Sequence, residues 1–452
     1  MKKNMLSILL IVCLLVALLF YIAGCGKEPE QEDGLITVTI TALDDHYGLR
    51  FYAREYERAN PNVKVVVNRP ISAIFDGLFA PESFTDYSRH LEMGLMSNTG
   101  DDILCLNTID YYKYADSGLL MDFYSLIKDD PDFDGDNYFM NVIEAFEYKG
   151  GLYVFPLNFE FQLMGVNLHV NSELVNAYKQ YDKISTRDLL DLYQRFNPGQ
   201  YSLGYMLTPP LLLLTEMDSF VDREKATCDF TNQRFLDLLN DSRMATAKDQ
   251  DWRSGFVYAV WSLEDETELA KKYMFQPAYS INLQYIIPQR EDKNFTHFIP
   301  LVSDDGKATI GSLSPPTQLA ISKGSKHKEA AWEFIKYLIR AREFVYDSSN
   351  SIYINKSTTE KLYATNIQSC YYRPDLSESG LVFAEDREYA LKAGMEKIMG
   401  TSSMPMRFPG SKVMYYSDEE YWSIFEQCRL NVMSAEQVAS WLQNRTEIRL
   451  KE

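Results

Sequence analysis

The strongest constraint on the fold is an alternation near the start of the chain. Leu35 to Leu43 places Ile36, Val38 and Ile40 at every second position, the period of a strand with one face buried. Residues 47–59 then change period, with Tyr52, Tyr56 and Ala59 on one face of a helix. Asn60-Pro61 ends that helix, because proline disfavours helical geometry in the residue before it. Val63 to Val67 reads as a second strand, and Asp102 to Leu106 as a third. A helix follows over Asp110 to Ser117, with Gly118 placed to cap its end. Strand, helix and strand in succession predict an α/β fold with a largely parallel sheet.

The later chain keeps this grammar and adds helices. Ser185 and Asp188 have the spacing of a capping box, ahead of a stripe of Leu189, Leu192, Tyr193 and Phe196 that Asn197-Pro198-Gly199 stops. Ala331, Phe334, Ile335 and Leu338 repeat at helical spacing. Ser434 and Gln437 offer another capping box, with Val438, Trp441 and Leu442 on the inward face. At 452 residues, and with no linker after residue 34, the chain implies two or more lobes joined by several chain crossings.

The first 25 residues set the location. Lys2 and Lys3 precede an apolar run from Ile8 to Ala23, and Ile22-Ala23-Gly24 places small residues before Cys25. This is the pattern of a secretory signal, and it is short for a spanning helix, which needs about 20 apolar residues. An uncleaved anchor helix is the other reading, and it too puts the body outside the cytoplasm. The Ile22–Cys25 tetrapeptide resembles the lipobox of bacterial lipoproteins, in which the cysteine is acylated and becomes the first mature residue. On that resemblance residues 1–24 are the signal peptide, Cys25 carries the lipid (palmitate on sulfur) and 25–34 is a spacer. The protein is then held on the extracytoplasmic face of the cell membrane.

Composition excludes other classes. Lys and Arg number 45 against 64 Asp and Glu, a net charge of −19, which is unsuited to neutralising nucleic-acid phosphates. With 46% hydrophobic and 24% charged residues the chain is neither disordered nor a multi-span membrane protein. Beyond Cys13 and Cys25, the widely spaced Cys105, Cys228, Cys370 and Cys428 show no C-x-x-C, and whether any two pair stays open. Cys105, within Asp-Ile-Leu-Cys-Leu, reads as a small core residue.

Five ordered segments then resemble one family. They are Phe51–Val65, Asn98–Ile103, Tyr148–Pro156, Ala330–Leu338 and Gln443–Ile448. They are similar to the extracellular solute-binding lipoproteins of bacterial ABC importers, in the sugar-binding class, family 1. The second segment lacks the proline usual in that family. The resemblance implies a periplasmic-binding-protein-like fold, two α/β lobes with a ligand cleft between them. It implies an N-terminal lobe of 35–157 and 313–350, and a C-terminal lobe of 158–312 and 351–452. It also implies a monomer that captures a carbohydrate, an oligosaccharide, by lobe closure and delivers it to a membrane permease, with no cofactor and no catalysis of its own.

Sugars need aromatic platforms for C–H faces and planar polar groups for hydroxyls, and loops at strand ends collect such groups. The candidates are Asp45, His46 and Tyr47 after the first strand, Asp110 and Tyr111 after the third, and Asn158 and Glu160 at the expected hinge. Gln276, Tyr279, Arg407 and Phe408 complete the set. Each has a structural alternative: Asp45 as a helix cap, Tyr111 and Tyr112 packing between lobes, Glu160 in a hinge salt bridge, Arg407 in a surface ion pair, Tyr279 and Phe408 in the core. Asp130, Asp132 and Asp134 match D-x-D-x-D-G, the first half of a calcium loop, but position twelve is Asn141 and Pro131 stiffens the start. An acidic surface turn is the competing reading. A glycoside hydrolase would need two suitably spaced carboxylates, which 64 acids always allow, yet no nucleophile motif is present. A tethered sensor of the same fold is a further alternative.

Overall fold

The structure is a computed structural model, and it describes residues 34–42, 48–69, 81–106, 109–204, 207, 209–245, 266–279, 294–311, 317–340, 352–371, 386–408 and 419–451. The expected signal, Cys25 and the Leu43–Tyr47 loop, with Asp45, His46 and Tyr47, lie outside those residues.

The first sheet has five strands, in the order Val63–Asn68, Ile36–Thr41, Ile103–Cys105, Gln318–Ile321 and Phe155–Pro156. Val38 and Ile40 point into the core and are fully buried, as the alternation requires. The helix Leu49–Ala59 packs Leu49, Tyr52, Ala53 and Tyr56 inward. Tyr56 meets Phe334 and Tyr337 of the helix Lys328–Arg340 at ring distances of 5.2 and 5.1 Å. Ala59, expected on this face, is exposed, because the apolar stripe ends one turn before the helix does. Asp102 ties the sheet together. One carboxylate oxygen accepts from the Thr39 N–H at 2.8 Å and the Thr39 hydroxyl at 3.0 Å, and the other from Ser325 Oγ at 2.6 Å.

The sheets are mixed, which corrects the expectation of a largely parallel one. Ile36–Thr41 runs parallel to both of its neighbours, but Gln318–Ile321 is antiparallel to Ile103–Cys105 and to Phe155–Pro156. The reason is connectivity. Gln318–Ile321 enters the first sheet on the chain's return from the second, so its direction is not set by a strand–helix–strand crossover.

Three chain passages lie side by side between the sheets. Leu157 donates to the Thr317 carbonyl at 2.8 Å and accepts from the Ile354 N–H at 3.0 Å. Asn158-Phe159 pairs with Ile352-Tyr353. Beyond this junction lies a seven-stranded sheet. Its path is Ser202–Gly204, Tyr273–Tyr279, Gln162–Asn167, Phe295–Val302, Thr309–Ile310 and Met406–Arg407, and Ile184–Ser185 pairs with Phe295–Val302. Every residue of Gln162–Asn167 is buried, since both faces of this sheet are covered. Leu163 belongs to the core continuous with the first lobe, while Met164 and Val166 belong to a second core. That second core is closed by the helices Thr186–Phe196, Gln233–Met244 and Ala435–Arg449, whose Leu189, Phe235 and Val438 are fully buried. Both expected capping boxes are formed, at Ser185/Asp188 and Ser434/Gln437.

Candidate functional site

A cleft of about 630 Å³ opens between the two halves. Tyr112, Glu147 and Tyr148 line it from the first lobe, and residues Ser219 to Glu224 with Thr227, Cys228, Asp229 and Asn232 from the second.

The first-lobe wall begins where the third strand ends. Asp110 Oδ1 accepts from the Tyr112 N–H at 3.2 Å, at the start of the short helix Tyr112–Asp116. Tyr111 and Tyr112 stack at 4.3 Å, and Tyr148 meets Tyr112 edge-on at 4.7 Å. Tyr111 donates to the Phe146 carbonyl at 3.0 Å, and Tyr148 to Asp116 Oδ2 at 2.9 Å. Burial drives the Tyr111 and Tyr112 phenols well above their ordinary range, so both stay neutral donors. Tyr148 sits on a two-residue hairpin, Glu147-Tyr148 against Gly151-Leu152. Its turn residues Lys149 and Gly150 have φ of 49° and 75°, the left-handed geometry that tight hairpins use.

The second-lobe wall is another hairpin, Val221-Asp222 paired with Thr227-Cys228. Phe220 anchors it, packing on Phe235 at 5.2 Å beneath the Arg234 guanidinium at 5.1 Å. Arg223 reaches across the cleft. Its Nη2 lies 2.8 Å from Asp110 Oδ2, and its guanidinium carbon lies 4.9 Å from the centre of the Tyr112 ring. Burial raises the Asp110 carboxyl above its ordinary value, and Arg223 pulls it part of the way back. Behind this wall Glu216 is fully buried beside Asp304, with Arg234 at 3.4 Å and Ser219 Oγ at 3.4 Å. Burial first, and the Asp304 carboxylate second, push Glu216 up to about 8.

The expected site residues divide among several places. Asp110 and Tyr111 adjoin the cleft through Tyr112. Arg407 donates to Ser219 Oγ at 3.1 Å and pairs with Asp305 at 3.6 Å, so it reaches the cleft through Ser219. Phe408 is buried, stacked on Phe146 of the other lobe at 4.9 Å. Asn158 accepts from the Thr317 N–H at 2.9 Å and joins two of the three crossings. Glu160 follows it, half-buried. Gln276 lies in the second sheet opposite Gly165, and its Oε1 is buried without a hydrogen-bond partner. Tyr279 ends the same strand, and its side chain is outside the described residues.

In the acidic loop the Asp130 and Asp134 carboxylates are in use. Asp130 Oδ2 takes Lys336 Nζ at 2.6 Å and the Trp332 indole N–H at 2.7 Å. Asp134 accepts from the Asp136 N–H and the Asn137 side chain, both at 3.1 Å. Asp132 lends its backbone carbonyl to Arg340. No metal-ligating cluster occurs among the described residues. Cys105, Cys228 and Cys428 form no disulfide, and the Cys370 side chain is outside the described residues.

Sequence reasoning missed Tyr148, Phe220 and Arg223 as cleft residues. Asp222-Arg223-Glu224-Lys225 reads as a solvated charged turn. Only the apolar Phe220-Val221 before it, with Thr227-Cys228 after it, hints at a hairpin edge.

Residues 241–343 match the family model described as bacterial extracellular solute-binding protein. Over those residues the chain is similar to the bacterial extracellular solute-binding proteins. Solved structures agree on its fold, which is periplasmic-binding-protein-like with two α/β lobes. The sugar-binding protein MalE from Xanthomonas citri aligns over 92% of this chain and 97% of its own, with a TM-score of 0.55 at 16% identity. An oligogalacturonide-binding protein from Yersinia enterocolitica aligns over 92% and 99%, with a TM-score of 0.56 at 12% identity. A substrate-binding protein from Listeria monocytogenes, in complex with cycloalternan, aligns over 92% and 97%, with a TM-score of 0.51 at 16% identity. No curated protein matches the sequence. Among the described residues, no helix is long and apolar enough to cross a membrane.

Proposed function

We propose that the chain is the membrane-tethered, extracytoplasmic substrate-binding subunit of an ABC importer. It captures a carbohydrate, an oligosaccharide, between lobes 35–157 with 313–350 and 158–312 with 351–452, and hands it to a permease. The lipid on Cys25 keeps it near that permease. The observation that carries the reading is the cleft, whose walls come from both lobes. A solute touching Tyr148 on one wall and the Phe220–Glu224 hairpin on the other binds the closed state better than the open one, and so drives closure. The three neighbours described above bind sugars or oligosaccharides by their names, which supports the ligand class. The chain's own chemistry is recognition. Glu216, the carboxyl held protonated at neutral pH, is fully buried and out of a substrate's reach.

The test is thermal unfolding of residues 26–452 against mono- and oligosaccharides at millimolar concentration. A ligand at about 100 times its Kd adds about 2.7 kcal/mol of stability. One sharp hit with the sugar recovered intact supports the reading. Tyr148→Ala is expected to weaken that hit more than tenfold while the protein stays folded. A hit that is hydrolysed, or a panel without a hit, overturns it.

A further inference from the structure

Arg223 makes three contacts at the lip of the cleft, and they belong to two lobes. Nη1 donates to the Arg449 carbonyl at 3.3 Å, in the last turn of the helix Ala435–Arg449. That carbonyl lies at the negative end of the helix, a natural seat for a cation, and it fixes the guanidinium to the second lobe. Nη2 reaches Asp110 of the first lobe at 2.8 Å, and the guanidinium plane covers Tyr112 of the first lobe. The Arg223 side chain is only 8% exposed while Asp110 is 36% exposed, so the bond forms at the boundary between the interior and water. The next residue repeats the grip. Glu224 Oε1 accepts from the Lys149 N–H at 3.1 Å, on the first-lobe hairpin turn. Two consecutive side chains of one second-lobe hairpin therefore hold two separate first-lobe segments.

These contacts are polar and sit at the lip, while the apolar Phe146–Phe408 stack also spans the lobes. A charge pair that forms only when the lobes meet costs little to break and re-form in water, which is what a reversible catch needs. We propose that Arg223 is a positioning residue, a latch that shifts the balance toward the closed lobes by joining Asp110 and Tyr112 of the first lobe to the end of the last helix. Solute affinity then follows the closed fraction, since apparent Kd is the intrinsic Kd divided by the population competent to bind. This use of the latch rests on the solute-binding reading, but the latch itself is testable without any solute.

The experiment compares wild type with Arg223→Gln, Asp110→Asn and the double variant, all without ligand. It reads the radius of gyration by small-angle X-ray scattering and hydrogen exchange at the Lys149 amide. Lys225→Gln is the control, because Lys225 pairs with Asp222 inside the same hairpin and not across the lobes. Arg223→Gln and Asp110→Asn should each enlarge the molecule and speed Lys149 exchange about tenfold, as expected for an opening equilibrium moved by one power of ten. The double variant should do no more than either single one, and the control should match wild type. Unchanged exchange and radius in either single variant overturn the latch, as do additive effects in the double. Should Arg223→Gln fail to fold, Asp110→Asn decides alone. A latch that opens as expected in a protein that binds no sugar would refute the solute reading and leave the latch standing.

Discussion

Asp130→Ala should destabilise the first lobe by about 3 kcal/mol, and the size follows from what surrounds the carboxylate. Asp130 and Lys336 are 7% and 3% exposed, and their 2.6 Å contact is backed by the Trp332 indole and by the Asp132 N–H at 2.9 Å. Truncation leaves an ammonium in the interior, for which a broken buried pair costs about 3–5 kcal/mol. Glu333 lies 2.8 Å from the same Nζ but is 56% exposed, so water screens it and the loss stays near the lower bound. For a lobe of this size 1 kcal/mol moves Tm by about 2–4 °C, giving a drop of about 6–12 °C by calorimetry. Replacing both partners, Asp130→Leu with Lys336→Met, should recover most of it, since no charge is then stranded. The pH dependence carries a sign. Burial would raise the Asp130 carboxyl, but hydrogen bonds from Lys336, the Asp132 N–H and Trp332 outweigh it and hold it below its ordinary value. Its contribution is therefore full above the unfolded value, near 4, and is lost as pH falls through the folded one. Wild type and Asp130→Ala should converge in melting temperature in strong acid. A variant within about 2 °C of wild type at pH 7 would refute this account.

Other predictions use the same kind of reading. Calcium at millimolar concentration should leave the melting curve unchanged, because Asp130 is committed to Lys336; a rise in Tm would return the acidic loop to a metal site. Glu216→Gln should remove a pH slope. The buried carboxyl keeps its proton up to about 8 while the unfolded one releases it near 4.5, so wild-type stability should fall as pH rises across that window. Urea midpoints at pH 5 and 9 should differ more for wild type than for the variant, and parallel midpoints would contradict the assignment. Phe408→Ala should cost about 3–5 kcal/mol by chemical denaturation. The ring fills the space between Phe146 and the Gly311 backbone, where an added Cβ would lie 2.4 Å from it. For the same reason Gly311→Ala should be nearly as damaging.

Much of the fold was legible because it depends on local rules. Val38 and Ile40, the capping boxes at Ser185 and Ser434, and the stripe from Ala331 to Leu338 each follow from spacing alone. Strand direction was not legible. Whether Gln318–Ile321 runs with or against Ile103–Cys105 depends on where the chain was before it arrived, and no window of sequence contains that. The cleft was half legible. Asp110 follows a strand, which is where ligand-facing groups collect, and it adjoins the cleft. Arg223 does not follow a strand of the main sheets, and one of its partners is the last helix, more than two hundred residues further on. A charged residue in a charged turn looks solvated until the partner that covers it is placed.

The same separation bears on how the proposed closure would leave each fold intact. The proposed closure passes through Leu157, Thr317 and Ile354, whose backbone bonds join the three crossings. Asn158 adds its side chain to that set. A junction built from backbone pairing keeps the lobes in register while allowing rotation, because small φ/ψ changes shared by three strands break none of their hydrogen bonds. The energetic balance between open and shut is then left to contacts outside the junction. Arg223 with Asp110, and Glu224 with Lys149, are contacts of that kind. Substitutions at the junction should therefore change whether the lobes fold and align, and substitutions at the lip should change how often they meet.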